Sequence, residues 1–316
     1  MKKIFFYLNR LPAGILGGIF CGAIYLALFG VDELIISNTD WLMDIGNVGD
    51  KGLAYLGTLF YVFSDWQFPT GLSDQLAYPL NYSVLYIDSV PLAAFISKVI
   101  LSGMGRFDFQ YLGIVSLLNQ ILMGGFSSAL IAKRTKSVSA GVIASVFFII
   151  NYPYLSRIFV HFGLQAQWLL IALLYFFECN RSRNYGSKFK YFIYFLFGCL
   201  TVWIHSYFLP PMLISIVFVE ITYIHNRKDL LNYMGYVSGY LCACFLSLYS
   251  LGGTYGNVMY DTGVIGQQGS NLNTFLNPLF KAQIFQKRPL LFSGQHNGSV
   301  YLGGGYFINN FNIGDI

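Results

Sequence analysis

Apolar positions along this chain come in long runs separated by short polar breaks, with neither the period-2 alternation of half-buried strands nor the narrow stripe of a surface helix. The first run covers residues 12–36, and later ones cover residues 109–132, 138–156, 162–178, 189–205, 207–225 and 232–251. A helix needs roughly 20 residues to cross about 30 Å of hydrocarbon, so the pattern predicts about seven membrane spans and an all-α, multi-pass helical bundle. The first run follows Lys2, Lys3 and Arg10 as a secretory signal would. It is longer than the 7–15 apolar residues of such a signal, roughly, and reads as an uncleaved helix.

Between the first and second spans lies a loop of about 70 residues (37–108), far longer than ordinary helix connections. Two stretches within it, GDKGLAYLGTLFYVF and PLAAFISKVILSGMG, are apolar but too short to span, and suit helices lying in the interface plane. The organisation expected is thus a transmembrane module over residues 1–251 and a tail over 252–316 that holds 12 of the 33 glycines. Glycine and asparagine at that density read as tight turns near a polar surface.

Composition agrees with the pattern. The 316 residues are 55% hydrophobic and only 10% charged, outside the range of soluble globular domains. Charge then sets orientation. The N-terminus and the loops near residues 133–136, 181–190 and 227–228 fall on one side of alternate spans and carry 12 of the 19 basic residues. With Glu178, Glu220 and Asp229 beside them that side nets +9, whereas the other side, with 7 basic and 11 acidic residues, nets −4. The positive-inside rule makes the first side cytoplasmic, so the N-terminus is inside and the long loop and C-terminus are outside a bacterial cytoplasmic membrane. The overall charge of +5 is a topology signal. No basic segment interleaved with aromatics is present, which argues against nucleic-acid binding. All five cysteines lie in or beside spans, giving no disulfide framework and no thiolate metal site.

Polar chemistry gathers at the outer boundary. Counting from Asp32, the first loop region holds nine of the 14 acidic residues. Four places converge there: Asp50 with Lys51, the YIDSVPL turn with Asp88, the LSRIFVHFGLQAQW segment with Arg157, His161 and Gln165, and His205 in WIHSYF. Arg157, His161 and Gln165 are spaced by four and would share one side of a helical turn. Mid-membrane charges and paired broken helices, which a lipid or glycan transporter or flippase would need, are not apparent in the spans.

With an acid in the first outer loop, interfacial helices after it and a seven-span module, the chain resembles the GT-C glycosyltransferases. Within them, the blocks NTDWLMDIGNVGD, WQFPTG, YIDSVPL, FQYLGI, RIFVHFGLQAQWLLIALLYF and GQHNGSVYLGGG resemble an uncharacterised bacterial family of GT-C-like multi-pass proteins. The resemblance implies an integral-membrane enzyme that takes a sugar from a polyprenyl-phosphate donor and passes it to a cell-surface glycan or lipid acceptor. It implies Asp50 as catalytic base, with Asp32 and Glu33 as rivals, since many GT-C enzymes carry an Asp-Glu pair just after the first span. An inverting transfer needs one base for the acceptor hydroxyl. The phosphate leaving group needs positive charge or hydrogen-bond donors, a role for Arg157, His161 or a bound divalent ion, with Asp88, Gln165 and His205 as further binding residues. No metal ligand set is indicated. Family members generally continue into further spans or a soluble domain, so this chain reads as a truncated form, and a non-catalytic remnant is the expectation opposed to the enzyme.

Overall fold

The structure, a computed structural model, describes residues 11–43, 49–183 and 185–255. The basic N-terminus, Asp44 and the tail beyond residue 255 lie outside the described residues. What is described is mostly helical: α1 (Leu11–Phe29), α2 (Gly49–Val62), α3 (Pro91–Leu101), α4 (Leu112–Thr135), α5 (Val138–Ile149), α6 (Tyr152–Leu155), α7 (Trp168–Arg183), α8 (Ser187–Ile204), α9 (Leu209–Ile221) and α10 (Arg227–Ser250), with short 3₁₀ turns between them.

Two of these, α1 over Pro12–Phe29 and α4 over Leu112–Thr135, are long and apolar enough to cross a membrane. The first run ends earlier than its hydropathy implies. Gly30 takes a left-handed φ of +80° and Asp32–Leu34 turns as a 3₁₀ helix. The run at 138–156 is likewise divided: α5 stops at Ile149, and Asn151 accepts the Tyr154 N–H at 3.0 Å to begin α6. The run at 162–178 is displaced toward the C-terminus, because residues 156–167 form turns and α7 starts only at Trp168.

α1 and α4 pack backbone to backbone through small residues, the device by which helices associate where no water drives them together. A Cβ placed on Gly124 would lie 2.5 Å from both Cβ and Sγ of Cys21 and 2.7 Å from the Gly17 carbonyl oxygen. Ser128 adds a hydrogen bond to the Ala13 carbonyl at 2.7 Å.

The two expected short helices of the first loop are α2 and α3. Lys98 of α3 is fully buried, donating to Ser64 Oγ at 3.0 Å and to the Asp65 carbonyl at 3.1 Å, with its ammonium 4.5 Å from the Tyr61 ring centroid. Burial lowers its pKa to about 8, against the opposing pull of Asp65 and Asp74. The connection between the two helices departs from the all-α expectation. An antiparallel hairpin, β1 (Leu72–Ala77) and β2 (Leu80–Ser83), pairs Leu72 with Ser83 and Ala77 with Leu80. It sits on the end of α10: Thr70 Oγ1 donates to the Ser250 carbonyl at 2.9 Å and Ser83 Oγ to that of Leu251 at 2.6 Å, satisfying carbonyls that a helix terminus leaves open.

The ends of the bundle differ in charge. At one end Arg134 pairs with Glu178 at 2.7 Å, Lys133 donates to Ser182 at 2.6 Å, and Lys190 pairs with Glu220. These contacts bring together the ends of α4, α7 and α9 and the start of α8. The opposite end of α8 meets the first loop, with the Trp203 ring centroid 5.3 Å from that of Phe95 in α3.

The α1–α4 contact gives a paired test. Gly124→Ala should destabilise the protein by about 1–3 kcal/mol through overpacking. Gly239→Ala, where nothing lies within 4 Å of the added carbon, should be neutral or slightly stabilising through helix propensity. Thermal unfolding in detergent would read both.

Candidate functional site

Asp88 is delivered by a chain of local constraints. Ser83 caps the 3₁₀ turn Val84–Tyr86 by accepting the Leu85 N–H at 3.1 Å, and the Ser89 N–H returns to the Ile87 carbonyl at 2.7 Å. The next residue, Val90, holds φ +54°, an unfavourable conformation for a β-branched side chain. It is held by Pro91 opening α3 and by Tyr111, whose hydroxyl donates to the Ser89 carbonyl at 2.5 Å and meets Thr58 Oγ1 at 3.2 Å. Burial raises the Tyr111 pKa, so its phenol remains a donor.

The facing segment is set by aromatic packing. Phe159, also at positive φ (+61°), has its ring centroid 5.1 Å from Phe29 and 5.3 Å from Trp41. Phe162 is buried and its carbonyl accepts Asn119 Nδ2 at 3.1 Å, while Asn119 Oδ1 accepts Trp168 Nε1 at 2.9 Å. Between these anchors stands His161.

His161 Nδ1 lies 3.2 Å from Asp88 Oδ2, and its Nε2 lies 3.5 Å from Asp50 Oδ2. The other Asp88 oxygen accepts the Gly163 N–H at 2.9 Å and lies 3.8 Å from His205 Nε2. A neutral imidazole donates through one nitrogen only, so moving its proton switches which carboxylate it binds. Asp88–His161–Asp50 can therefore pass a proton or hold one carboxylate in place through the other. Exposure separates their roles: the Asp50 side chain is 54% exposed at the start of α2, whereas that of Asp88 is 16% exposed. Asp50 is open to a substrate and Asp88 is sheltered behind the ring.

His205 lies just past α8. Its Nδ1 accepts the Tyr207 N–H at 3.2 Å, which places the proton of the neutral ring on Nε2, toward Asp88. Burial lowers its pKa; Asp88 opposes the shift, and the nearby charges of His161 and Arg157 add to it. Arg157 is half-buried and makes no ion pair among the described residues.

Four of the sequence candidates, Asp50, Asp88, His161 and His205, thus meet, with Arg157 close enough to act on His205. Gln165 does not join them. It is fully buried, and its amide donates to the Ser116 carbonyl at 3.2 Å and to Tyr154 Oη at 3.4 Å. The spacing of four between Arg157, His161 and Gln165 does not put them on one helix face because residues 156–167 form successive turns: Phe159 is left-handed between the first two, and the turn at 162–165 leaves Gln165 fully buried. Asp32 and Glu33 lie in their 3₁₀ turn, where the Glu33 carbonyl accepts Gln110 Nε2 at 2.7 Å. No hydrogen bond or ion pair joins either side chain to the cluster among the described residues. Both ring nitrogens of His161 face carboxylates, and no group of three His, Cys, Asp or Glu among the described residues could hold a metal ion.

Gly163 is the residue that sequence reasoning missed. A Cβ there would lie 2.5 Å from His205 Cδ2 and 2.7 Å from Asp88 Oδ1, so the cluster closes only around a glycine. A glycine two residues after a histidine, at the start of an apolar run, is the available signal.

These features define a helical protein with two membrane-length helices and a carboxylate–imidazole cluster at the end of its bundle. Residues 18–313 match the family described as Domain of unknown function (DUF6311), and the chain belongs to that family. No curated protein and no solved structure matches it.

Gly163→Ala should separate Asp88 from His205 and lower stability by about 1–3 kcal/mol, read as a lower thermal midpoint. For His205, the folded-state pKa lies below its ordinary value of 6.5, so its contribution to stability is intact above that value and declines as pH falls through it toward the folded value. His205→Gln should flatten that part of the stability–pH curve.

Proposed function

We propose that this protein is an integral-membrane glycosyltransferase of the GT-C type, which moves a sugar from a polyprenyl-phosphate donor to a cell-surface glycan or lipid acceptor at the outer face of the cytoplasmic membrane. The observation that carries the reading is the open Asp50 carboxylate backed by His161 and Asp88 at one end of an apolar bundle. In this reading α1, α4, α5 with α6, α7, α8, α9 and α10 are the seven spans, the N-terminus is cytoplasmic, and α2 and α3 lie in the outer interface. Outward side chains support embedding beyond α1 and α4: Phe147, Phe192, Ile214, Phe218 and Phe245 are each more than half exposed. Apolar surface of that extent calls for lipid or a partner. The basic ends of α4 and α7 and the basic start of α8 fit the inner face, with the cluster at the other.

The chemistry uses the chain's own groups. As the acceptor oxygen attacks C1 of the sugar, Asp50 takes the hydroxyl proton, and the bond from C1 to the phosphate oxygen breaks with its electron pair going to the phosphate. With a proton on each ring nitrogen His161 donates to both carboxylates, so that Asp88 fixes the ring and the ring fixes the Asp50 carboxylate. Arg157 supplies positive charge for the departing phosphate.

Asp50→Asn should lower transfer from a radiolabelled polyprenyl-phosphate sugar in membranes by about 100-fold or more, at unchanged protein level. Undiminished transfer by that variant would remove Asp50 from the mechanism.

A further inference from the structure

At the basic end of the bundle, opposite the carboxylate cluster, α7, α8, α9 and α10 surround a polar pocket of about 360 Å³. Lys190 forms part of its wall. The ammonium pairs with Glu220 Oε2 and lies 4.5 Å from the Tyr236 ring centroid, and Glu220 Oε1 accepts the Tyr194 hydroxyl. The second lining acid, Asp229, is engaged as well, with Oδ2 accepting the His225 N–H at 3.2 Å. Both carboxylates are therefore answered within the protein. Arg181, which also lines the pocket, is exposed and makes no ion pair among the described residues. Arg183 stands beside it with its guanidinium 3.1 Å from Tyr185 Oη. The two cations and two carboxylates of the lining balance, and Arg181 is the cation that no carboxylate meets among the described residues.

Tyr185 has a second role. It lines the pocket on one side and on the other an apolar groove of about 290 Å³ along α7 and α8, walled by Phe176, Phe189, Leu196 and Leu200. The ring of Tyr185 stacks on Phe176 at 5.9 Å and meets Phe189 at 4.8 Å, so the wall that closes the pocket is also the upper end of the groove. Phe126 and Tyr175 continue this groove into a second apolar one of about 410 Å³ between α1 and α4. A hydrogen-bonding pocket with one unpaired arginine, joined through one tyrosine to apolar channels, has the shape of an amphiphile. Neither part accounts for the other: a free phosphate ester would leave the groove empty, and a neutral apolar chain would leave Arg181 without a counter-charge.

We infer that this joint binds an anionic phospholipid, with its phosphate against Arg181 and the edge of Lys190 and an acyl chain in the groove below Tyr185. The inference rests on embedding of the bundle in a membrane and is independent of the sugar-transfer reaction. Basic pockets between helices on the inner side are a recurrent way of holding such headgroups.

The test is native mass spectrometry of the full chain in a non-ionic detergent, titrated with phosphatidylglycerol or with phosphatidylcholine of the same acyl chains. Phosphatidylglycerol should be retained selectively. Arg181→Gln should weaken that retention about fivefold, the worth of one basic side chain near a bound anion. Leu196→Trp, which fills the groove, should weaken retention of the same lipid, whereas Lys136→Gln, at an exposed basic site outside the pocket, should leave it unchanged. Glycerol 3-phosphate should not compete. Equal retention of phosphatidylcholine, an equal loss in Lys136→Gln, or full competition by glycerol 3-phosphate would each overturn the proposal in favour of bulk lipid, diffuse surface charge or a soluble phosphate ester.

Discussion

One carboxylate has to be kept in place for the rest of the site to exist. Asp88 sits at the edge of an apolar bundle, where an unanswered charge would be costly, and its two oxygens are met by the Gly163 N–H and by His161. The loop that carries Asp88 and the segment that carries Gly163 and His161 are far apart in sequence. Their meeting joins the hairpin's seat on α10 and the Tyr111 hydrogen bond in holding the long loop between α1 and α4 against the helices. Remove that meeting and His161 loses its orientation, Asp50 loses its partner, and His205 is left buried beside no counter-charge.

The backbone on both sides of this joint is strained. Val90 follows the Asp88 turn with a left-handed φ, and Phe159 precedes His161 with another. Such conformations cost on the order of 1–3 kcal/mol each and persist only where the surroundings over-determine them. Here the surroundings are specific: the Tyr111 hydroxyl and the start of α3 hold Val90, and the rings of Phe29 and Trp41 hold Phe159. A third non-glycine residue at positive φ, Lys136, merely ends α4.

Much of this was legible in the sequence, for identifiable reasons. The helical character follows from the long apolar runs, and α2 and α3 follow from apolar stretches bounded by Gly-Asp and by Pro. The convergence of Asp88, His161 and His205 could be inferred because the expected topology put the first loop and the ends of two later runs on one face. Other features were hidden. Hydropathy does not register turns, so the run at 162–178 concealed those between 162 and 167, and the spacing of four made Gln165 look like a neighbour of His161. The strands Leu72–Ala77 and Leu80–Ser83 are too short for a period-2 signal to rise above the turn formers around them. A seven-span count likewise outruns what length and hydropathy give helix by helix, where only α1 and α4 pass among the described residues. Lys98 falls in a stretch expected to lie in the interface plane, and only the packing of Tyr61 and Ser64 around it reveals a buried cation.

The seating of the hairpin on α10 has a mechanical corollary. Thr70 and Ser83 grip the last carbonyls of that helix, and a few residues after Ser83 the same strand of chain arrives at Asp88. The helix and the carboxylate are therefore on one short tether. In the embedding proposed above, a change in the lean of α10 with bilayer thickness would be transmitted to the spacing between Asp88 and His161, making lipid thickness a lever on the geometry of the rim.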